Sequence, residues 1–180
     1  GEGGERQVWG EERGLADGFR WGPDGRRLAC WQVDEELVRG FVLADYLSDL
    51  YPRLQRFPYP KAGEINPAER VGVIAAGGGP VTWVDLPGST RDHYVARMEW
   101  AASSGEIAVQ QLNRRQDTNR LFLGDAASCA VRELLRQTDA AWAEMRDDLP
   151  ALDSWRALTY TRQHDATTRA DAVPPIDREL

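Results

Sequence analysis

The sequence predicts an all-β chain: a partial β-propeller of about two and a half blades, each blade a four-stranded antiparallel sheet. Three observations carry this. Short runs rich in Val, Ile, Leu, Trp, Tyr and Phe alternate with polar residues over 17–33, 70–86, 93–113 and 120–136, the period-2 pattern of half-buried strands. Turn signals separate the runs. A strand–turn–strand unit also recurs: Phe19–Trp21 with Pro23-Asp24-Gly25 and Leu28–Val33, Arg97–Trp100 with Ser103-Ser104-Gly105 and Ile107–Leu112, and Pro150–Leu152 with Asp153-Ser154 and Ala157–Thr161.

The anchors Trp21, Trp100 and Leu152 lie 79 and then 52 residues apart. Propeller blades repeat at roughly 40–50 residues. The longer first interval therefore requires an insertion, and residues 35–66 supply it. The domain reading follows: an N-terminal segment (1–16), a first blade (17–86) carrying a Pro-rich loop (35–66), a second blade (87–138), an incomplete third (139–165) and an irregular tail (166–180).

In the first blade the strands are expected at 17–22, 27–33, 70–76 and 80–86. Pro23-Asp24-Gly25 makes the first turn because Pro presets φ, Asp bonds its own backbone and Gly accepts positive φ. Between the second and third strands, Gly40–Leu43 reads as a strand. Tyr51-Pro52, Phe57-Pro58, Tyr59-Pro60 and Asn66-Pro67 then forbid a helix and disfavour a central strand. An extended, anchored loop with its rings packed on the sheet is the expectation. Gly77-Gly78-Gly79 suits a hairpin turn. It is not a phosphate loop, having no following Lys-Ser/Thr and no helix start.

The second blade is expected at 93–100, 106–113, 120–125 and 130–136. Val131–Leu135 contains helix-favouring Glu, Leu and Arg, but its place in the repeat assigns it to a strand. Ala140–Met145 reads as one helical turn or an irregular stretch, and Pro174-Pro175 ends any late element.

Composition excludes several function classes. The chain has 180 residues and a net charge of −7, with 22 basic against 29 acidic residues, so it carries no basic footprint for nucleic acid. No apolar run approaches the length of a membrane-spanning helix. No signal peptide is visible, and the start at Gly1 without an initiator Met reads as a fragment. Cys30 and Cys129 read as a buried thiol and an incidental one, with no spacing that argues a disulfide. No Cys/His/Asp cluster has metal-ligand spacing, and no cofactor motif is present.

Tyr59-Pro60-Lys61-Ala62-Gly63-Glu64-Ile65-Asn66-Pro67 is a specific string. With Gly18–Trp21 and Pro23-Asp24-Gly25 upstream, and Asp92-His93-Tyr94 and Gln111–Asp117 downstream, it resembles the N-terminal propeller of dipeptidyl peptidase IV-like serine peptidases. The resemblance covers roughly residues 8–165. It implies a piece of a bacterial exopeptidase that removes Xaa-Pro or Xaa-Ala dipeptides from peptide N-termini, with the compartment open between periplasm and cytoplasm. It also implies partners: the rest of the propeller and a separate α/β-hydrolase domain with a Ser-Asp-His triad.

This sequence has no Gly-x-Ser-x-Gly elbow. His93 and His164 each neighbour an aspartate, but adjacent strand residues face opposite ways, so neither pair is a dyad by default. No catalytic residue is expected here. The resemblance does imply a substrate site: an acidic pair that holds the free α-ammonium, which falls on Glu11 and Glu12. On the residues alone, that pair also reads as a solvated acidic turn. The surroundings depart from the family, with Arg6 and Gln7 where Asp-Trp is usual and Gly10 where a third Glu is usual. A non-enzymatic binding or assembly module is the alternative function, and unpaired sheet edges invite self-association into a homo-oligomer.

Overall fold

The computed structural model describes residues 18–101, 104–141 and 143, and the backbone of 159–161 and 170–172. No helix occurs among them. The first sheet contains β1 (Phe19–Trp21), β2 (Arg27–Asp34), β5 (Ala68–Ala75) and β6 (Thr82–Trp83), in the order β1-β2-β5-β6 and antiparallel throughout. The second is the meander β7 (His93–Trp100), β8 (Glu106–Asn113), β9 (Thr118–Asp125) and β10 (Val131–Thr138). This is the partial propeller expected from the repeat. The Val131–Leu135 segment is indeed a strand, paired along β9 with one register shift between Glu133 and Leu135.

Local chemistry closes the turns. Gly25, at φ 67°, donates its N–H to Gly22 O at 2.9 Å, and Asp24 Oδ1 accepts from Arg26 N at 2.9 Å. Asp125 closes the β9–β10 turn, accepting from the N–H groups of Ala127 and Ser128. These bonds hold its carboxyl below the usual carboxylate range. Cys129 sits in that turn at φ 57°.

The insertion differs from the loop expected. Gly40–Asp45 (β3) and Arg53–Pro58 (β4) form a two-stranded hairpin, with Gly40 opposite Pro58 and Asp45 opposite Arg53. The prolines are compatible because, among the described residues, β4 pairs on one side alone and Pro58 is its last residue. The rings of Phe41, Phe57 and Tyr59 pack on one another, with centroids 5.7–6.2 Å apart. The hairpin tip exposes Tyr46, Leu47, Leu50 and Tyr51.

The fourth strand of the first sheet is shorter than the expected 80–86. Val84 N–H still reaches Val71 O at 2.9 Å, but the next donor, Asp85 N–H, goes to Cys129 O at 3.1 Å. The chain has there left its own sheet for a turn of the other. Toward the C-terminus, Thr159–Thr161 (β11) pairs antiparallel with Ala170–Ala172 (β12). A strand therefore occurs where an irregular tail was expected. The expected strand at 150–152 lies outside the described residues, as do 142, 144 and 145 of the stretch 140–145.

The core lies between the two sheets. Ala29, Val71 and Val73 from the first meet Val95, Met98, Ile107 and Val109 from the second, all buried. Period 2 sends the intervening residues of β8 and β9 to the opposite face, where Ala108, Leu121 and Leu123 form a second cluster with Leu134 and Leu135.

Candidate functional site: the acidic segment and the strand that follows it

Glu11 and Glu12 lie outside the described residues, as does His164. The first described element after them is β1. Among the described residues β1 has one strand neighbour, β2, with Phe19 opposite Cys30 and Trp21 opposite Leu28. It is also tied to the second sheet. Trp100 Nε1–H donates to Arg20 O at 2.9 Å, and Arg20 Nε donates to Glu99 Oε1 at 3.3 Å. The Arg20 guanidinium lies 5.7 Å from the Trp31 ring centroid, within cation–π range. The β1–β2 turn docks on the β7–β8 turn: Asp24 N–H donates to Ser104 Oγ at 3.0 Å and Arg27 Nη1 to Ser104 O at 3.3 Å.

The Tyr59–Pro67 string is a bracket between elements. Gly63 takes φ 84°, a left-handed conformation that favours glycine, and Glu64 N–H bonds Lys61 O at 2.9 Å. Asn66 is buried. Its Nδ2 donates to Tyr94 Oη at 2.8 Å, and its carbonyl accepts from Arg91 Nη1 at 2.9 Å. Arg91 continues to Asp34 at 3.2 Å, and Arg114 donates to Glu64 O. The specificity of this string thus has a structural cause, since each polar residue of its second half meets a defined partner.

His93 is held by Glu69, not by Asp92. Its Nε2 lies 3.3 Å from Glu69 O, while Glu69 Oε2 accepts Val95 N–H at 2.7 Å. Burial pushes the imidazole below its ordinary value of 6.5, with the Glu69 carbonyl partly opposing it. Assigning the proton to Nε2 makes Nδ1 an acceptor, and Nδ1 is buried without a partner. His93 is therefore a neutral packing residue at the junction of β5 and β7. A cavity of about 240 Å³ opens beside it, lined in part by Glu69, Trp83, Asp85 and Thr90.

Both thiols are free, and burial raises the pKa of each. Cys129, buried, donates its Sγ–H to Thr82 O at 3.4 Å. No group of His, Cys, Asp and Glu among the described residues could hold a metal ion. No helix among them is long and apolar enough to cross a membrane.

The description of the family whose model matches is the dipeptidyl peptidase IV N-terminal region, and the match runs over residues 8–169. The chain belongs to this family. Among dipeptidyl peptidase IV-like relatives, the mouse inactive dipeptidyl peptidase 10 is 29% identical over 133 residues, covering 72% of this chain and 17% of its own. A probable dipeptidyl-aminopeptidase B from Talaromyces marneffei is 31% identical, covering 69% and 16%. The crystal structure of Porphyromonas gingivalis dipeptidyl peptidase 4 superposes with a TM-score of 0.67 at 27% identity, covering 75% of this chain and 19% of that one. The chain thus spans about a fifth or less of the relatives it matches. One of them is named inactive, so membership of the family does not by itself establish peptidase activity.

Sequence reasoning found the β1 segment and the Tyr59–Pro67 string but missed the inter-sheet bonds of Trp100, Glu99 and Ser104. Trp100 was visible as a repeat anchor. Its indole N–H gave the one available signal, because a half-buried Trp usually finds an acceptor.

Proposed function

We propose that the chain is the propeller portion of a dipeptidyl peptidase IV-like exopeptidase that removes Xaa-Pro or Xaa-Ala dipeptides. In this reading the propeller gates the substrate, and Glu11 and Glu12 bind its N-terminal ammonium. The observation that carries the reading is the extent of the family match, which begins at residue 8 and so includes the acidic pair together with β1. The physics suits the task. An α-amino group titrates near 7.7–8.0, and two flanking carboxylates favour its charged form. An ammonium fixed in place determines which peptide bond meets a nucleophile, so cleavage falls two residues from the N-terminus.

The nucleophile belongs to an α/β-hydrolase domain. The 180-residue chain, with no Gly-x-Ser-x-Gly elbow, is expected to leave an Xaa-Pro chromogenic substrate uncleaved. In the full-length protein, Glu11→Gln or Glu12→Gln is expected to lower kcat/KM by about 10- to 150-fold. That corresponds to a charge-assisted hydrogen bond of roughly 1.5–3 kcal/mol. Substrates with a blocked N-terminus lack the cation and should respond less. Equal processing of free and acetylated peptides by wild type and both variants would reduce the pair to a solvated turn.

A binding or assembly module is the second reading. It is favoured by the outer face of the first sheet, where Phe19, Trp21 and Trp83 are exposed. Such a face suits the remaining propeller or a second copy.

A further inference from the structure

We propose that the outer edge of β3 pairs with β3 of a second copy of the chain, antiparallel, about a two-fold axis through Val42. The backbone groups that face this edge follow from the hairpin register. Tyr59 N–H donates to Arg39 O at 3.0 Å, one step along from Gly40 opposite Pro58. Hydrogen-bonded and non-bonded pairs alternate along an antiparallel ladder. Arg39, Phe41, Leu43 and Asp45 therefore turn their backbone groups toward β4, and Gly40, Val42 and Ala44 turn theirs outward. Pro58, which has no N–H, falls opposite Gly40 as this parity requires.

The edge is also unguarded. Among the described residues β3 has no strand neighbour but β4, and the two strands pack chiefly on each other. A lone two-stranded hairpin is marginal in water. Free edges are commonly blunted by Pro, Lys or a bulge. Gly40–Asp45 contains no proline and no basic residue and pairs without a register shift, and it leaves Val42 39% and Leu43 45% exposed.

The occupant follows from self-complementarity. About Val42, the sequence Arg39-Gly40-Phe41-Val42-Leu43-Ala44-Asp45 sets small Gly40 against Ala44, apolar Phe41 against Leu43, and Arg39 against Asp45. Antiparallel pairing centred on Val42 joins the outward groups of the two copies, Val42 with Val42 and Gly40 with Ala44, so each exposed N–H and C=O gains a partner. The same register places Arg39 of each copy opposite Asp45 of the other. Opposite charges directly across a strand pair stabilise it, whereas an in-register parallel pairing would oppose like charges. The Arg39 side chain bonds Glu64 at 3.2 Å yet stays 79% exposed, so much of its guanidinium surface is open to a second carboxylate. The contact is isologous and closes at two copies, giving a four-stranded sheet in place of two lone hairpins.

This pairing uses neither Glu11 nor Glu12, so it stands or falls apart from the peptidase reading. The test is sedimentation equilibrium of the full-length protein together with disulfide capture. Wild type is expected to dimerise. Val42→Pro removes a donor that β4 does not use, once in each copy, and is expected to weaken the dimer by about 10- to 100-fold, the worth of two net hydrogen bonds. Arg39→Glu is expected to weaken it by about two- to tenfold, and the exchange Arg39→Glu with Asp45→Lys to restore it. These charge variants keep the test decisive should Val42→Pro not fold. Under mild oxidation Val42→Cys should link two copies, because hydrogen-bonded partners have Cα atoms about 5.5 Å apart, within disulfide reach. Leu43→Cys should not, since its counterpart lies across the diagonal at about 7–8 Å. Wild type serves as the control for Cys30 and Cys129. A monomeric wild type would overturn the proposal. So would a dimer that Val42→Pro and Arg39→Glu leave equally tight, or cross-linking at Leu43 rather than Val42.

Discussion

The two sheets share a strand count and antiparallel pairing, but they are not equally self-sufficient. The second has four strands of eight residues, each paired along most of its length, with buried clusters on both faces. The first has two eight-residue strands flanked by edges of three and two residues, and its outer face exposes Phe19, Trp21 and Trp83. The cause lies in the order of the chain. β7 to β10 follow one another through short turns. β2 and β5 are separated by the β3–β4 hairpin, and just past β6 the Asp85 N–H goes to the β9–β10 turn. A strand pair that closes a long loop carries a larger entropic cost before it is rewarded. The first sheet recovers that cost by leaning on the second, through Val71 and Val73 in the core and Arg20 at the edge.

The largest effect should come from the shared core. Met98 is fully buried between the sheets, so Met98→Ala is expected to destabilise by about 2–5 kcal/mol. Phe19→Ser, on the exposed face, should cost less than about 1 kcal/mol. Chemical denaturation measures both. Comparable costs would mean that the outer face of the first sheet is as buried as the core.

A smaller effect tests the weak edge. A Cβ on Gly72 would lie 2.3 Å from Val81 Cγ1 and 2.9 Å from Trp83 Cε3, whereas one on Gly124 meets Ile107 Cγ2 at 3.2 Å. Gly72→Ala is therefore expected to cost about 1–3 kcal/mol, an overpacking penalty, and to loosen β6. Gly124→Ala should cost less. Hydrogen exchange at Val84 N–H, which bonds Val71 O, would report detachment of β6. Unchanged protection in Gly72→Ala would show that Trp83 can move aside at no cost to pairing.

The smallest effect is a pH dependence at the junction. His93 has a folded-state pKa below the ordinary 6.5 because it is buried. Above 6.5 both folded and unfolded states hold it neutral. As pH falls below 6.5 the unfolded chain takes up the proton first, so stability declines down to the folded pKa. The slope for one proton is at most about 1.4 kcal/mol per pH unit. His93→Gln should flatten stability as pH falls below 6.5. An unchanged slope would assign the proton uptake elsewhere.

The sequence by itself determined the class, the repeat and most strand positions. Alternation of period 2 reports which residues share a face, and Pro-Asp-Gly or Asp-Ala-Ala-Ser turns act through bonds within a few residues. The specific Tyr59–Pro67 string was equally legible, because its residue types stand in consecutive positions and carried the resemblance directly. Three features were decided only by tertiary structure. The prolines of the insertion permit a hairpin because β4 has one neighbour, and sequence alone does not state which strands are edges. β6 ends after two residues because Asp85 N–H finds Cys129 O in the other sheet. Arg20 meets Glu99 and Trp100 across about eighty residues of chain. Each depends on which groups arrive side by side after the sheets have packed, and local pattern carries no information about a partner so distant.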